Sequence, residues 1–348
     1  MMKLNDNTLF MLLHDYLKVY LPKQRKLSPN TIRSYRESLE LLVDFVKTKK
    51  KVLLQDVTFE MLTADIINAY LDYLENDRNC TATTCNNRLA SIRAFLVFAA
   101  DREIATAVYL SEMKKVPVKK LNEIVAVDYM SMAAISAIAE QADADTPKGL
   151  RDKFFMVLMY DTGARVQEMI DIKLCDIKIG KTPTITLHGK GGKIRSVPIM
   201  ECTIQHFQKY MSVFHCESRN DNERLFYTVS YGQRHPLSAS CIRLFLKQYG
   251  ESARQNCIDV PENVHPHLWR HSRAMHLYQG GMDLTLVSQW LGHANLEVTQ
   301  VYAHADTEHK RKAIAAATPS DNPLYTKLNS ERFTISDEDM LKRLTGLR

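Results

Sequence analysis

"LSPNTIRSYRESLELLVDFV" spans residues 27–46. Ser28 followed by Pro29 marks a helix start: a serine hydroxyl satisfies a free N–H of the first turn, and proline's fixed φ suits the first helical position. Beyond it, Ile32, Tyr35, Leu39, Leu42, Val43 and Val46 recur every three or four residues, which predicts a helix with one apolar face. That face needs partners, and the flanking sequence offers them. Leu9, Leu12, Leu13, Tyr16, Leu17 and Tyr20 keep the same spacing upstream. Downstream come "TADIINAYLDYLEN" at residues 63–76 and "TTCNNRLASIRAFLVFAAD" at 83–101, the latter with Leu89, Ile92, Phe95, Leu96 and Ala99 on one side. Four short helices of this kind predict a small bundle.

The polar faces of the second and fourth helices share a composition. One carries Asn30, Thr31, Arg33, Ser34 and Arg36, the other Thr84, Asn86, Asn87, Arg88 and Arg93. Amides, hydroxyls and guanidiniums suit contacts to phosphates and base edges, with Arg33, Arg36, Asn86, Asn87 and Arg88 as the candidates. Either face taken alone also reads as an ordinary solvated surface.

"MKKVPVKKLNE" (113–123) breaks the helical pattern with four lysines and a proline. It reads as an extended basic linker over 113–122, separating a helical domain at 1–112 from a second domain at 123–317 and a tail at 318–348. In the second domain, "DYMSMAAISAIAEQA" and "LRDKFFMVLMYDTGAR" are helical. "TITLHG" and "KIRSVPI" form two short strands around a glycine-rich turn, and helices resume near Leu237. The fold class is mainly α with a small antiparallel β-sheet.

The whole chain bounds the chemistry. It has 348 residues, 45% hydrophobic and 25% charged, enough for two ordinary cores. The net charge of +6 permits a polyanionic partner without requiring one. The seven cysteines, odd in number and scattered, form no C-x-x-C pair and read as reduced thiols of a cytoplasmic protein. No apolar run is long enough to cross a membrane, and the start of the chain is wrong for a signal peptide.

Single motifs are ambiguous. "HGKGGK" (188–193) lacks the spacing of a nucleotide-binding loop and reads as a tight hairpin bearing a lysine. His267 and His271 have the i, i+4 spacing of a helical zinc pair, but Leu268 stands where a zincin needs glutamate, and Arg270 and Arg273 would repel a cation; no metal is expected. Arg165 lies in an apolar helical stretch where a charge is costly, and Glu168 could pair with it across one turn as a purely structural bridge. "LGHANLEVTQVYAHA" (291–305) places Tyr302 among His293 and His304. As a set, two arginines, a hairpin lysine, several histidines and a tyrosine suit attack by a phenol on a phosphodiester. Guanidinium forks match phosphate oxygens, while lysine and histidine move protons near neutral pH.

"DTGARVQEMIDI", "HGKGGKIRSVPI", "HPHLWRHSRAMHL" and "LGHANLEVTQVYAHA" resemble, in order and spacing, the signature boxes of the tyrosine recombinases, the phage-integrase family. "SPNTIRSYRESL" and the bundle around it resemble that family's core-binding domain, so the likeness covers roughly residues 8 to 315. It implies an N-terminal four-helix core-binding domain and an α-rich catalytic domain of the tyrosine recombinase fold. It also implies that Tyr302 is the nucleophile of a 3′-phosphotyrosyl intermediate, and that Arg165 and Arg270 clamp the scissile phosphate. Lys190 would protonate the departing 5′-oxygen, with Lys193 a rival for that role. His267 would act as acid and base, His293 would hydrogen-bond the phosphate, and Glu168 would orient the site. Trp269 and Arg273 depart from the usual pattern and put local packing in question. His304 has no assigned role.

The resemblance further implies a partner in double-stranded DNA carrying specific sites, with four protomers on two sites and a monomer or weak oligomer when free. A directionality factor is a candidate partner; no cofactor, metal or ATP is expected. Residues before position 8 leave no room for an arm-binding domain, and the tail beyond Thr318 favours a mobile-element integrase over a chromosome dimer resolvase of the Xer type. A type IB topoisomerase shares the chemistry, and a DNA-binding protein that never cuts is the rival of another class. Met340, Leu341, Leu344 and Leu347 would line one face of a helix at 337–347, too short to stand alone, that docks on a neighbouring protomer or on its own domain. If it docks in trans, a chain truncated at Ser330 should show weakened assembly or regulation in a recombination assay; full recombination by that chain would exclude trans docking.

Overall fold

The structure, a computed structural model, describes residues 7–120, 128–189, 191–216, 220–293, 295–305, 311, 314, 340, 342 and 343. Lys190 lies outside them, as does the helix expected at 337–347 apart from Met340, Lys342 and Arg343. The chain divides into two compact units, Met1–Glu123 and Ile124–Arg348.

In the first unit, α1 (Thr8–Asp15) runs into a wider π-type coil over Tyr16–Gln24, where Pro22 supplies no backbone N–H to an α-helical ladder. The second helix, α2 (Pro29–Lys50), starts as the sequence predicts: Ser28 Oγ accepts from the Thr31 N–H. It buries Leu39, Leu42, Val43 and Val46, while Ile32 and Tyr35 are only partly covered. The next two helices, α3 (Ala64–Asn76) and α4 (Ala82–Arg102), are capped in the same manner by Thr63 and Thr81. Leu89, Ile92, Phe95, Leu96 and Ala99 of α4 are all buried. A fifth helix, α5 (Ala107–Lys114), was not expected from the apolar pattern and packs on α4.

The lysine-rich segment differs from the extended linker expected over 113–122. Met113 and Val116 belong to the core of the first unit. Arg93 Nη2 donates to the Val116 carbonyl at 2.5 Å. The Asn86 amide is used at both ends: Nδ2 donates to the Lys119 carbonyl and Oδ1 accepts from the Lys119 N–H, each at 2.8 Å. Lys119 Nζ reaches Glu75 at 2.5 Å and Asp72 at 3.4 Å. Two apolar side chains and two acidic partners thus turn residues 113–120 into a strap. Asn86, one of the candidate nucleic-acid contacts, and Arg93 of the same polar face hold that strap.

The second unit is built around α7 (Pro147–Thr162), whose Phe154, Phe155, Met156, Leu158 and Met159 are buried. Before it lies α6 (Met132–Glu140) and after it the short α8 (Val166–Asp171). Three antiparallel strands follow, β1 (Ile177–Lys178), β2 (Thr184–His188) and β3 (Ile194–Pro198), in the order β1–β2–β3. Their register pairs Ile177 with Ile185 and His188 with Ile194, which turns Ile185, Leu187 and Val197 inward. The sequence reading recognised the last two strands. It did not recognise the hairpin of β4 (Tyr227–Ser230) and β5 (Gln233–Pro236), which comes after α9 (Glu201–Phe214). Its turn residues Tyr231 and Gly232 both have positive φ, 50° and 73°, as a two-residue hairpin turn demands. The remaining helices are α10 (Ala239–Arg254), α11 (Pro266–Gln279), α12 (Leu284–Leu291) and α13 (Glu297–Ala305). Trp269, flagged as a departure from the family pattern, is only 1% exposed and fills the core of this unit from α11.

Asn86→Ala leaves the Lys119 peptide without either of its side-chain partners. It should cost about 1–3 kcal/mol in urea unfolding and speed proteolysis at Lys119 or Lys120. Unchanged cleavage there would show that the strap is held by its apolar residues alone.

Candidate active site

The site begins where α7 stops. Gly163 adopts the left-handed conformation (φ 60°, ψ 25°), and a Cβ there would approach Leu291 Cδ2 to 2.9 Å. The stop corrects the reading of Arg165 as a mid-helix charge: Arg165 is extended and forms the N-cap of α8. Glu168 still pairs with it three residues on, and with more than one group. Its carboxylate accepts from the Arg165 N–H and from Arg165 Nη1, both at 2.9 Å. It also accepts from Arg195 Nη1 at 2.9 Å and Nη2 at 2.7 Å. Glu168 is 4% exposed. Burial alone would raise its pKa. The hydrogen bonds of Arg195, the Arg165 N–H, the charge of Arg195 and the hydrogen bond of the Arg165 side chain more than offset burial and bring the pKa to about 2.

Arg195 was missed in the sequence. The available signal was strand parity: Arg195 lies two residues before the buried Val197 on β3, and so faces inward.

Three guanidiniums meet the end of α12 in succession. Arg195 Nε donates to the Trp290 carbonyl at 2.9 Å. Arg270 Nη2 donates to Leu291 at 2.6 Å, and Arg165 Nη2 reaches Gly292 at 3.4 Å. Arg270 Nη1 also donates to the Gly163 carbonyl at 2.6 Å, so the stop of α7 and the end of α12 are bound by one side chain. Unpaired carbonyls at a helix C-terminus carry partial negative charge, which favours cations there. Gly292 ends α12 with φ 65°, and a Cβ on it would lie 3.0 Å from Arg195 Cδ and Nη1. Arg270 is 4% exposed; burial, followed by the charges of Arg165 and Arg195, presses its pKa down, although a guanidinium stays cationic at neutral pH.

Beside this cluster opens a cavity of about 520 Å³ walled by Arg165, Lys193, Arg195, Gln289, Gly292 and His293, among others. The hairpin that brings Lys193 there closes with the Gly189 N–H donating to the Lys193 carbonyl at 2.6 Å, and Gly191 and Gly192 turn with φ 78° and 75°. Its other lysine, Lys190, lies outside the described residues. His293 spends Nδ1 on Thr299 Oγ1 of α13 at 2.7 Å. Burial, then Arg270 and Arg165, lower the His293 pKa to about 4, so the ring is neutral at pH 7.

Tyr302 on α13 packs against Ala274, Met275, Val287 and Leu291 and is 1% exposed. Its hydroxyl is not locked in hydrocarbon: it lies 2.8 Å from His271 Nδ1. Burial raises the phenol pKa, and Arg270 opposes that rise. Burial, followed by His267 and Arg270, brings the His271 pKa to about 4, so this imidazole is also neutral at pH 7; in the tautomer protonated at Nε2, its Nδ1 accepts from the phenol. His267, one turn earlier on α11, is exposed, and its pKa is lowered by burial and by His265. His265 caps α11, its Nδ1 accepting from the Leu268 N–H at 3.2 Å. Arg273 is committed to Asp161, with Nε on the Asp161 carbonyl at 3.1 Å and Nη2 on Oδ1 at 3.2 Å, and it lies over the Tyr160 ring. In the first unit, Arg33 and Arg36 on α2 and Asn87 on α4 are exposed, and Arg88 lies against the buried Tyr70 phenol.

Residues 129–309 match the phage integrase family. The chain belongs to that family. Residues 13–103 match its N-terminal SAM-like domain. The recombinase is 27% identical over 337 residues to a putative integrase/recombinase, y4rC, of Sinorhizobium fredii, with 97% of each chain covered. It is 30% identical over 296 residues to the tyrosine recombinase XerC of Staphylococcus haemolyticus, covering 85% of this chain and 93% of that one. Two solved structures share the fold. The XerH site-specific recombinase bound to its difH substrate aligns with a TM-score of 0.62 and 18% identity over 89% of each chain. The Tn1549 transposon integrase in complex with transposon right-end DNA gives 0.63 and 17% identity over 87% of this chain and 98% of that one. The mainly α architecture with small antiparallel sheets, and the recombinase class read from the four boxes, therefore hold.

Glu168 has a folded pKa below its ordinary value, so its stabilising contribution is complete above about pH 4.5 and is lost as pH falls toward about 2. Glu168→Gln should cost about 3 kcal/mol at pH 7, the low end for removing one partner of a buried ion pair. In urea unfolding, the gap to the wild type should narrow on acidification through that window. Equal stability at pH 7 would show that the carboxylate is not the counter-charge of the arginines.

Proposed function

We propose that this recombinase cuts and rejoins double-stranded DNA at specific sites through a 3′-phosphotyrosyl intermediate, and that its role is integration and excision of a mobile element. The observation that supports this most is the gathering of Arg165, Arg195 and Arg270 beside a cavity that also takes in Lys193 and His293. A fixed cluster of donors and positive charge is what a pentavalent phosphorane with developing negative charge requires. In this reading Arg165 and Arg270 hold the scissile phosphate, with Glu168 fixing Arg165. His293 offers its free Nε2 to a phosphate oxygen, and His267 serves as acid and base on the exposed side of α11. Tyr302 is the nucleophile, and Lys190 protonates the 5′-oxygen, with Lys193 its rival.

The covalent intermediate conserves the phosphodiester bond energy, so neither ATP nor a metal is required. The first unit binds DNA as the core-binding domain, residues 1–112, with Arg33, Arg36, Asn87 and Arg88 among its contacts. Residues 123–317 form the catalytic domain, and four protomers act on two sites. The likeness to a XerC protein supports a second reading, chromosome dimer resolution; mapping the cleaved sequence separates the two.

A nicked suicide substrate carrying the recombination site should trap a covalent protein–DNA adduct with the wild type and none with Tyr302→Phe, and EDTA should leave the trapping rate unchanged. An adduct formed by Tyr302→Phe would overturn the assignment of the nucleophile.

A further inference from the structure

Attack by Tyr302 requires a group that takes the proton of the nucleophile. A phenol whose pKa is raised by burial must lose its proton as its oxygen bonds to phosphorus, and a base must stand within hydrogen-bond reach of it. His267, which family likeness puts forward as acid and base, is on the exposed side of α11. His293 already spends Nδ1 on Thr299. Arg270 has no acceptor to offer. The group on the Tyr302 oxygen is His271, with Nδ1 2.8 Å away and ring centroids 5.8 Å apart.

We propose that His271 is a further catalytic residue, the base that takes the Tyr302 proton during attack. The inference rests on Tyr302 being the nucleophile. The Oη–phosphorus bond forms as the phosphorus–O5′ bond breaks. The phenolic proton passes to His271 Nδ1, giving an imidazolium, and the 5′-oxygen takes its proton from the hairpin lysine; rejoining runs these transfers backwards. The transfer is concerted with attack: a neutral imidazole is too weak to ionise a free phenol, but a phenol oxygen bonding to phosphorus loses its affinity for its proton. The DNA phosphate also brings negative charge to Arg270, whose own charge disfavours an imidazolium here. His271 follows Arg270 directly on α11, so the base and the phosphate clamp are positioned by the same helical turn. This division gives His271 the phenol side of the reaction and leaves His267 the phosphate side.

The test compares His271→Gln and His271→Leu. Glutamine can accept the phenol's hydrogen bond but cannot take its proton; leucine can do neither. Single-turnover adduct formation is read only on the fraction of protein that binds the site, so that loss of fold does not enter. Both variants should be slower by about 100-fold or more. The deficit should persist on a substrate whose 5′-bridging oxygen is replaced by sulfur, a leaving group that needs no proton. A near-wild-type rate for His271→Gln would reduce the imidazole to a holder of the phenol and overturn the proposal, as would rescue of both variants by the sulfur substrate. The Tyr302→Phe adduct assay runs alongside: an adduct there removes the underlying reading, whereas its absence with fast His271→Gln removes only this inference.

Discussion

Placing three guanidiniums close together in a partly buried space is costly, and the second unit is arranged around meeting that cost. Among the described residues, Glu168 supplies the one full counter-charge, held by Arg165 and Arg195 at once. The rest comes from backbone: successive carbonyls of Trp290, Leu291 and Gly292 at the negative end of α12, and the Gly163 carbonyl at the end of α7. The two helix ends therefore have to stop where they do. Both stop at a glycine with positive φ, and at each a Cβ would meet a neighbour within 3.0 Å: Leu291 at Gly163, and Arg195 at Gly292. Conformational freedom at two residues thus fixes the separation of charges contributed by three elements distant in the chain.

The same arrangement prepares the groups around it. Burial and positive charge keep His271 and His293 neutral at pH 7, so neither adds another cation to the cluster. His293 is tied through Thr299 to α13, the helix that carries Tyr302, and Tyr302 is tied through His271 to α11, the helix that carries Arg270. The helix of Tyr302 is thereby fastened at two points, to α11 and to the residue that follows the end of α12.

Much of this was legible in the residues. Ser28, Pro29 and the apolar spacing after them gave α2 its start and its buried face, because capping and amphipathicity act within a few residues of one another. The β2–β3 hairpin could be read from strand alternation around a glycine-rich turn. Arg165, Glu168, Arg270, His293 and Tyr302 could be picked out because their spacing within four short boxes carries the family pattern. The linker was misjudged because Met113 and Val116 are weak signals beside four lysines, and only the packed unit shows that Glu75 and Asp72 stand where Lys119 can reach them. The β4–β5 hairpin was passed over for a similar reason: its strands are short and largely exposed, so they show no clear alternation.

The sequence by itself determined the helical bundle, the mainly α second unit and the residue types available for phosphate chemistry, since these follow from local periodicity, capping and side-chain chemistry. Only the tertiary structure decided that Arg195 shares Glu168 with Arg165, that α12 presents its carbonyls to three arginines, and that His271 is the histidine on the Tyr302 hydroxyl. Those contacts join residues 27, 95 and 31 positions apart. Over such separations no periodicity records which side chains will meet; the packing of α7, α11 and α12 settles it.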